Sequence, residues 1–167
     1  MQFFIPFGDW SKDGHGQYET ILVEAPSMES LLEAQNKIKE KYGKYFFSDY
    51  ADQYDEPYFS ATIWDALEDT KYPVERFKEK QDDIKWEECQ SIAEVRKKFN
   101  EEQEQLNGEY YYEDSIPLTL ETVQDTFIWL LNAFGAEIEV CEEHELIPMI
   151  CNWTCSGFET VGYGCFY

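Results

Sequence analysis

The chain has 167 residues, of which 43% are hydrophobic and 17% aromatic, and this composition excludes a disordered acidic tail. It holds 35 acidic residues against 13 lysines and arginines, which gives a formal net charge of -22. Because this charge repels polyanions, it argues against direct binding to nucleic acid or to a membrane. The length suits one domain, so we predict a single folded domain over residues 1–167 whose partner is a basic protein surface.

The start of the chain, MQFFIPFGDW, lacks the basic residues and the apolar length of a signal peptide. No apolar run approaches the ~20 residues of a membrane-spanning helix. The five cysteines are an odd number, and without an export signal they favour reduced thiols over a disulfide framework. We therefore expect a cytoplasmic protein. No cofactor is expected, because no cofactor-binding motif is present.

Two strand-like runs, residues 2–7 and 18–25, open the chain and are rich in aromatic and β-branched residues. A loop rich in glycine and aspartate separates them, which predicts a hairpin with a long connection. Pro26 and Ser27 then end the second strand and start a helix, whose apolar residues recur at helical spacing as far as Gly43. The N-terminal order is therefore strand, strand, helix.

The middle of the chain gives weaker signals. Residues 45–62 mix tyrosine and phenylalanine with acids, which favours a loop or a broken pair of strands. The stretch 63–106 is rich in lysine and glutamate, and within it Ser91 and Glu94 have the spacing of a helix-capping box. We predict a helix that begins at Ser91 and ends before Gly108.

The run from Thr119 to Gly135 places its apolar residues on one face and predicts a further helix. Three short runs with strand composition follow, at 136–142, 145–151 and 158–167. We therefore predict an α+β fold. The N-terminal hairpin and the C-terminal strands form one antiparallel sheet, and about three helices pack against it.

The loop of the N-terminal hairpin contains half of a calcium-binding pattern. Asp9, Ser11 and Asp13 precede a glycine, as oxygen ligands do in the first half of an EF-hand loop. The closing glutamate is missing, because the twelfth position is Thr20, so a polar turn is the favoured interpretation. A metal-dependent enzyme that uses Asp9, Asp13 and His15 is an alternative.

A second metal hypothesis concerns the C-terminal part of the chain. Cys141, His144, Cys151 and Cys155 are four residue types that bind zinc, and they fall within 15 residues. Free cysteine is also among the most buried residue types, so small core side chains are the favoured interpretation.

The acidic residues are distributed unevenly, because residues 99–167 contain 14 acids and no lysine or arginine. Tyrosines alternate with carboxylates in 45–58 and again in 109–114, a mixture that suits contact with arginine-rich protein surfaces. We assign partner binding to residues of these acidic segments. They are Asp49, Asp52, Asp55, Glu56, Glu101, Glu102, Glu104, Glu109, Tyr110, Tyr112, Glu113, Asp114, Glu142, Glu143 and Glu145.

In size and charge the chain resembles the acidic DNA mimics of phages and mobile elements, which block restriction or CRISPR nucleases. The resemblance implies a non-enzymatic inhibitor that competes with DNA, which presents one charge per ~1.7 Å, for a cationic surface. Two alternatives stay open. One is a metal-binding module or metal-dependent enzyme built on the hairpin loop or the Cys/His set, and the other is an acidic subunit of a larger assembly.

Overall fold

The computed structural model describes residues 1–9, 18–49, 59–81, 86–110, 113–141 and 162–163. In these segments two strands come first, the helices follow, and two short strands come last. In chain order they are β1 (Gln2–Asp9), β2 (Tyr18–Glu24), α1 (Met28–Tyr42), a 3-10 turn (Phe46–Asp49), α2 (Ala61–Asp69), α3 (Val74–Lys80), α4 (Ile92–Asn107), a second 3-10 turn (Gly108–Tyr110), α5 (Leu120–Ala133), β3 (Glu139–Val140) and β4 (Gly162–Tyr163).

The sheet has the order β3-β2-β1-β4. Strands β1 and β2 form the predicted antiparallel hairpin, with Phe3 opposite Val23, and β3 adds to β2 in the antiparallel sense. These three strands and the helices confirm the α+β class. Strand β4 pairs with β1 in the parallel sense, unlike the predicted antiparallel arrangement. A parallel neighbour is feasible because the connection between these strands passes through all the helices and is long enough for either direction.

The three predicted helices are confirmed, and each begins at a side-chain cap. Ser27, Ser91 and Thr119 precede α1, α4 and α5, and each side-chain oxygen accepts a hydrogen bond from a backbone N–H three residues later. Gly43 and Gly108 end α1 and α4 at positive φ. Among the helices of the described segments, none combines the length and apolar composition needed to cross a bilayer.

Helices α2 and α3 were not predicted, because the charged residues of the stretch obscured their apolar faces. In α2 the Ser60 side chain accepts a hydrogen bond from the Ile63 N–H, and Ile63 and Trp64 are fully buried. In α3 the corresponding buried residues are Val74 and Phe77. The α2 start had a readable signal, since a serine three residues before the first buried residue is a typical cap.

Aromatic side chains dominate the core. Trp64 and Phe127 are completely buried, and edge-on ring contacts join Trp64 to Phe59 and Phe127 to Phe47. The Trp64 indole N–H donates to the carbonyl of Asp114 at 2.9 Å, so this buried ring has its polar group satisfied. The bond also fixes the chain after α4 against α2, which matters for the site described next.

Candidate functional site: an acidic cleft beside helix α4

A cleft of about 410 Å³ lies beside α4. Four glutamates from three parts of the chain line it. They are Glu68 at the end of α2, Glu101 and Glu104 on α4, and Glu113 after the second 3-10 turn. We call this feature the acidic cleft. Two of the four glutamates, Glu101 and Glu104, are about one helical turn apart. Their Cβ atoms are therefore about 5–6 Å from each other.

Arg96 also lines the acidic cleft and is bound by acids of its own chain. Its guanidinium donates in bidentate fashion to Asp114, at 2.8 and 2.9 Å, and further to Asp65 at 2.6 Å and Glu68 at 3.1 Å. The Arg96 side chain is only 20% exposed. Its positive charge is therefore used by Asp114, Asp65 and Glu68. The other cleft glutamates, Glu101, Glu104 and Glu113, are exposed.

Asp114 belongs to this internal network. Its burial corrects the prediction that Asp114 contacts a partner. The residue is buried, and its carboxylate accepts hydrogen bonds from Arg96 and Asn100. Burial raises the pKa of the Asp114 carboxyl, but the hydrogen bonds and the charge of Arg96 outweigh it and hold the pKa below its usual value. Asp114 is therefore a structural anion at neutral pH.

The charges of α4 oppose the helix dipole at one end. Its first turn carries Glu94, which accepts a hydrogen bond from the Gln90 N–H and favours the positive end. Its last turn has no basic residue, yet Glu104 lies there, at the negative end of the helix dipole. A carboxylate at this end disfavours the helix, so folding alone does not explain it. The nearby Lys97 ammonium lies 3.7 Å from Glu101 and is a weak, exposed partner.

Two large apolar side chains are exposed where α4 ends. Leu106 in the last turn is 74% exposed, and Tyr110 at the end of the following 3-10 turn is 90% exposed. Glu104 precedes them, and Glu113 follows them after two residues outside the described segments. The end of α4 therefore combines carboxylates with exposed apolar surface.

The other predicted partner-binding residues are placed as follows. Glu102 is half-buried on α4, Glu109 lies within the second 3-10 turn, and Asp49 ends the first one. The remaining candidates lie outside the described residues. They are Asp52, Asp55, Glu56, Tyr112, Glu142, Glu143 and Glu145. The sequence missed the contributions of Asp65 and Glu68, because α2 was not predicted.

The acids after Lys98 are paired more than the sequence indicated. Asp125 on α5 accepts a bidentate hydrogen bond from Arg76, and Glu121 lies 2.8 Å from the Lys80 ammonium. These cations come from α3, which packs against α5. The fold therefore brings basic residues of the first part of the chain onto the acids of the second. The acidic cleft differs from these one-to-one pairs, because the glutamates that line it outnumber its cations.

The metal hypotheses fall mostly outside the described residues. Asp9 is the last residue of β1, and Cys141 directly follows β3, where its N–H donates to the Leu22 carbonyl. Burial, and then the charges of Glu24 and Glu139, raise the pKa of the Cys141 thiol. The other candidate ligands, Ser11, Asp13, His15, His144, Cys151 and Cys155, are not among the described residues. Within the described segments, no three His, Cys, Asp or Glu side chains form a metal-binding group.

Comparison with protein-family models, curated proteins and solved structures finds no significant match to this chain.

Proposed function

We propose that this protein binds and occludes a cationic surface of a nucleic-acid-binding enzyme, with phage-defence nucleases of the restriction or CRISPR type as the leading class. The observation that carries the proposal is the acidic cleft, in which glutamates from three parts of the chain converge while Arg96 is bound internally. A cationic groove offers the exposed carboxylates of Glu104 and Glu113 partners beyond Arg96 and Lys97, the cations that line the cleft. The protein acts by competing with DNA phosphates for lysine and arginine side chains.

The energetics of the acidic cleft support a binding role. Carboxylates that lie close together repel one another, and Glu104 also opposes the α4 dipole, so the arrangement lowers stability. The net charge of -22 already provides solubility without such local crowding. A basic partner relieves both costs when it binds. The same negative field accelerates the encounter with that partner and makes the association sensitive to salt.

The test uses the full chain, immobilised, and a bacterial lysate fraction enriched on heparin as the source of nucleic-acid-binding proteins. We expect capture of nucleic-acid enzymes that duplex DNA displaces and that 0.5 M NaCl releases. A purified restriction endonuclease and a guide-loaded CRISPR nuclease then serve to measure inhibition of plasmid cleavage. If the chain captures no protein that duplex DNA displaces, the proposal is wrong.

A matched pair of variants assigns the effect to the acidic cleft. Glu101→Gln with Glu104→Gln removes two charges from the cleft, and Glu33→Gln with Glu40→Gln removes two exposed charges from α1. Both variants have the same net charge. We expect the α4 variant to lose roughly tenfold or more in affinity and the α1 variant to lose much less. Equal losses would mean that only the total charge matters and that the acidic cleft is not the site.

A further inference from the structure

A second cavity, of about 270 Å³, continues the acidic cleft toward the start of α4. Glu68 and Ala93 line both cavities, so the two form one groove that follows α4 from Ser91 to Glu104. The apolar side chains of the second cavity come from the end of α2, the turn before α3, and the starts of α3 and α4. They are Leu67, Tyr72, Pro73, Val74 and Ile92. We call this cavity the apolar recess.

We propose that the apolar recess takes an apolar side chain of the same basic protein whose lysine or arginine binds in the acidic cleft. This inference rests on the proposed function and adds a contact that charge does not provide. The recess is close in size to the smallest ligand pockets of proteins, roughly 300 Å³, so it has room for one large side chain such as leucine. Burial of a leucine side chain is enough to strengthen binding about tenfold.

The floor of the apolar recess is part of the folded core. Leu67, Val74 and Ile92 are all buried and belong to the main hydrophobic cluster. The Tyr72 hydroxyl donates to the Asp125 carboxylate on α5, which fixes a ring that lines the recess. A site formed in advance needs little ordering when a partner binds, so more of the contact energy contributes to affinity.

Helix α4 sets the distance between the two parts of the groove. Glu101 follows Ala93 by eight residues, which at 1.5 Å per residue is about 12 Å along the helix axis. In an extended segment of a partner, which rises about 3.3 Å per residue, this distance corresponds to a spacing of about four residues. The groove therefore suits a segment in which a basic and an apolar residue lie a few positions apart.

The charges of the groove select a basic occupant. Glutamates outnumber cations among the residues that line the whole groove. The glutamates are Glu68, Glu75, Glu101, Glu104 and Glu113, and the cations are Lys71, Arg96 and Lys97. A second copy of this chain carries the same charge of -22 and disfavours a close approach. Charge complementarity therefore commits the groove to a basic protein.

The experiment compares two peptides of equal charge as probes of the full chain. Each has eight residues with lysine at every second position, and the positions between are leucine in one peptide and serine in the other. Fluorescence anisotropy at low ionic strength measures both affinities. We expect the leucine peptide to bind roughly tenfold more tightly, because one of its leucines enters the apolar recess.

Ala93→Phe tests whether this advantage comes from the apolar recess. Ala93 is exposed on α4 where the recess meets the acidic cleft, so a phenylalanine there places apolar bulk in the recess without altering any charge. We expect the affinity for the leucine peptide to fall to within about twofold of that for the serine peptide. Ala133→Phe is the control and should keep the full difference, because Ala133 is exposed at the end of α5 and lines neither cavity.

The charges of the acidic cleft are tested with the same peptides. Glu101→Gln with Glu104→Gln should weaken the binding of both peptides by the same factor, since it removes charge and leaves the apolar recess intact. Urea midpoints establish that each variant folds. Ala93→Leu, a smaller change at the same position, should reduce the advantage of the leucine peptide in the same direction as Ala93→Phe.

The outcomes separate the two proposals. If both peptides bind the wild type equally, or if the leucine advantage persists in Ala93→Phe, the inference about the apolar recess is wrong while the proposed function stands. If neither peptide binds, the groove has no affinity for basic chains and the proposed function fails as well. Sedimentation tests self-association, and a wild-type dimer that Ala93→Phe abolishes would overturn the assignment to a basic partner.

Discussion

Asp114 shows how a single residue supports the acidic cleft without facing solvent. Its φ of 66° lies in the left-handed region, which aspartate tolerates better than most residues. The backbone N–H is satisfied by Asn100, and the carboxylate by Arg96 and Asn100. The sequence identified Asp114 as an acid in an acidic segment. It could not reveal the bond to Arg96, 18 positions earlier, since nothing in the intervening sequence encodes which cation the chain returns to.

Asp114→Asn is predicted to destabilise the protein at pH 7 by about 2 kcal/mol. Removal of one partner of a buried ion pair costs about 3–5 kcal/mol. Arg96 is partly exposed and keeps Asp65 and Glu68 as partners, which reduces the loss. Urea unfolding followed by circular dichroism measures the change. The adjacent Glu113→Gln is the control, because Glu113 is exposed, and its effect should stay within about 0.5 kcal/mol.

The same variant has a distinct pH dependence. The pKa of Asp114 is lower in the folded than in the unfolded chain, so the unfolded state binds more protons in acid. The stabilisation that Asp114 provides is therefore complete above its unfolded pKa of about 3.9 and is lost as the pH falls through the folded value. Between pH 5 and pH 3, stability should fall less steeply in Asp114→Asn than in the wild type. Parallel curves would contradict the assignment of Asp114 as a structural anion.

At the scale of elements, side-chain caps made the longest helices predictable. Ser27, Ser91 and Thr119 precede clear apolar periodicity, and glycines follow α1 and α4, so local sequence specifies both ends. Helices α2 and α3 have only 9 and 7 residues and depend on burial of Trp64 and Phe77 for their stability. Such tertiary stabilisation is not visible in a local window, and neither is the direction in which β4 joins the sheet.

Helix α4 allows the same substitution to be tested at its two ends. Glu104→Gln removes a charge that opposes the dipole in the last turn, so it should stabilise the protein by about 0.3–0.5 kcal/mol. Glu94→Gln removes a charge that favours the dipole and weakens the acceptor of the Gln90 N–H, so it should destabilise by about 0.5–1 kcal/mol. Urea midpoints at low ionic strength measure both changes in stability.

The contrast between the two ends is the decisive result. Changes of the same sign would show that the dipole does not govern these positions and that Glu104 carries no cost to stability. If the signs differ and Glu104→Gln also weakens partner capture, the residue trades stability for binding, as positions devoted to function often do.

At the scale of the whole molecule, composition predicted the surplus of acid but not its arrangement. The absence of lysine and arginine after Lys98 indicated a region of unpaired carboxylates. The fold instead pairs Asp125 with Arg76 and Glu121 with Lys80, because α3 packs on α5. Such pairs join residues about forty to fifty positions apart, and only the packing of the helices brings them together. Within the described segments, the acidic cleft keeps a surplus of acid, because four glutamates line it beside Arg96 and Lys97.

The surplus of acidic over basic residues predicts that salt stabilises the fold and weakens the binding of a basic partner. At -22, mutual repulsion destabilises the compact state, and salt shortens the screening length from about 30 Å at 0.01 M to about 8 Å at 0.15 M. Between these concentrations of NaCl we expect the melting temperature, measured by calorimetry, to rise by about 3 °C or more. Tetramethylammonium chloride should give the same rise, because screening does not depend on the cation; a rise with sodium alone would indicate a bound ion instead. Over the same range the affinity for a basic partner should fall, since its counter-charges are screened too. The protein is then more stable at the salt concentration that releases the partner. Unfolding therefore does not explain the loss of binding.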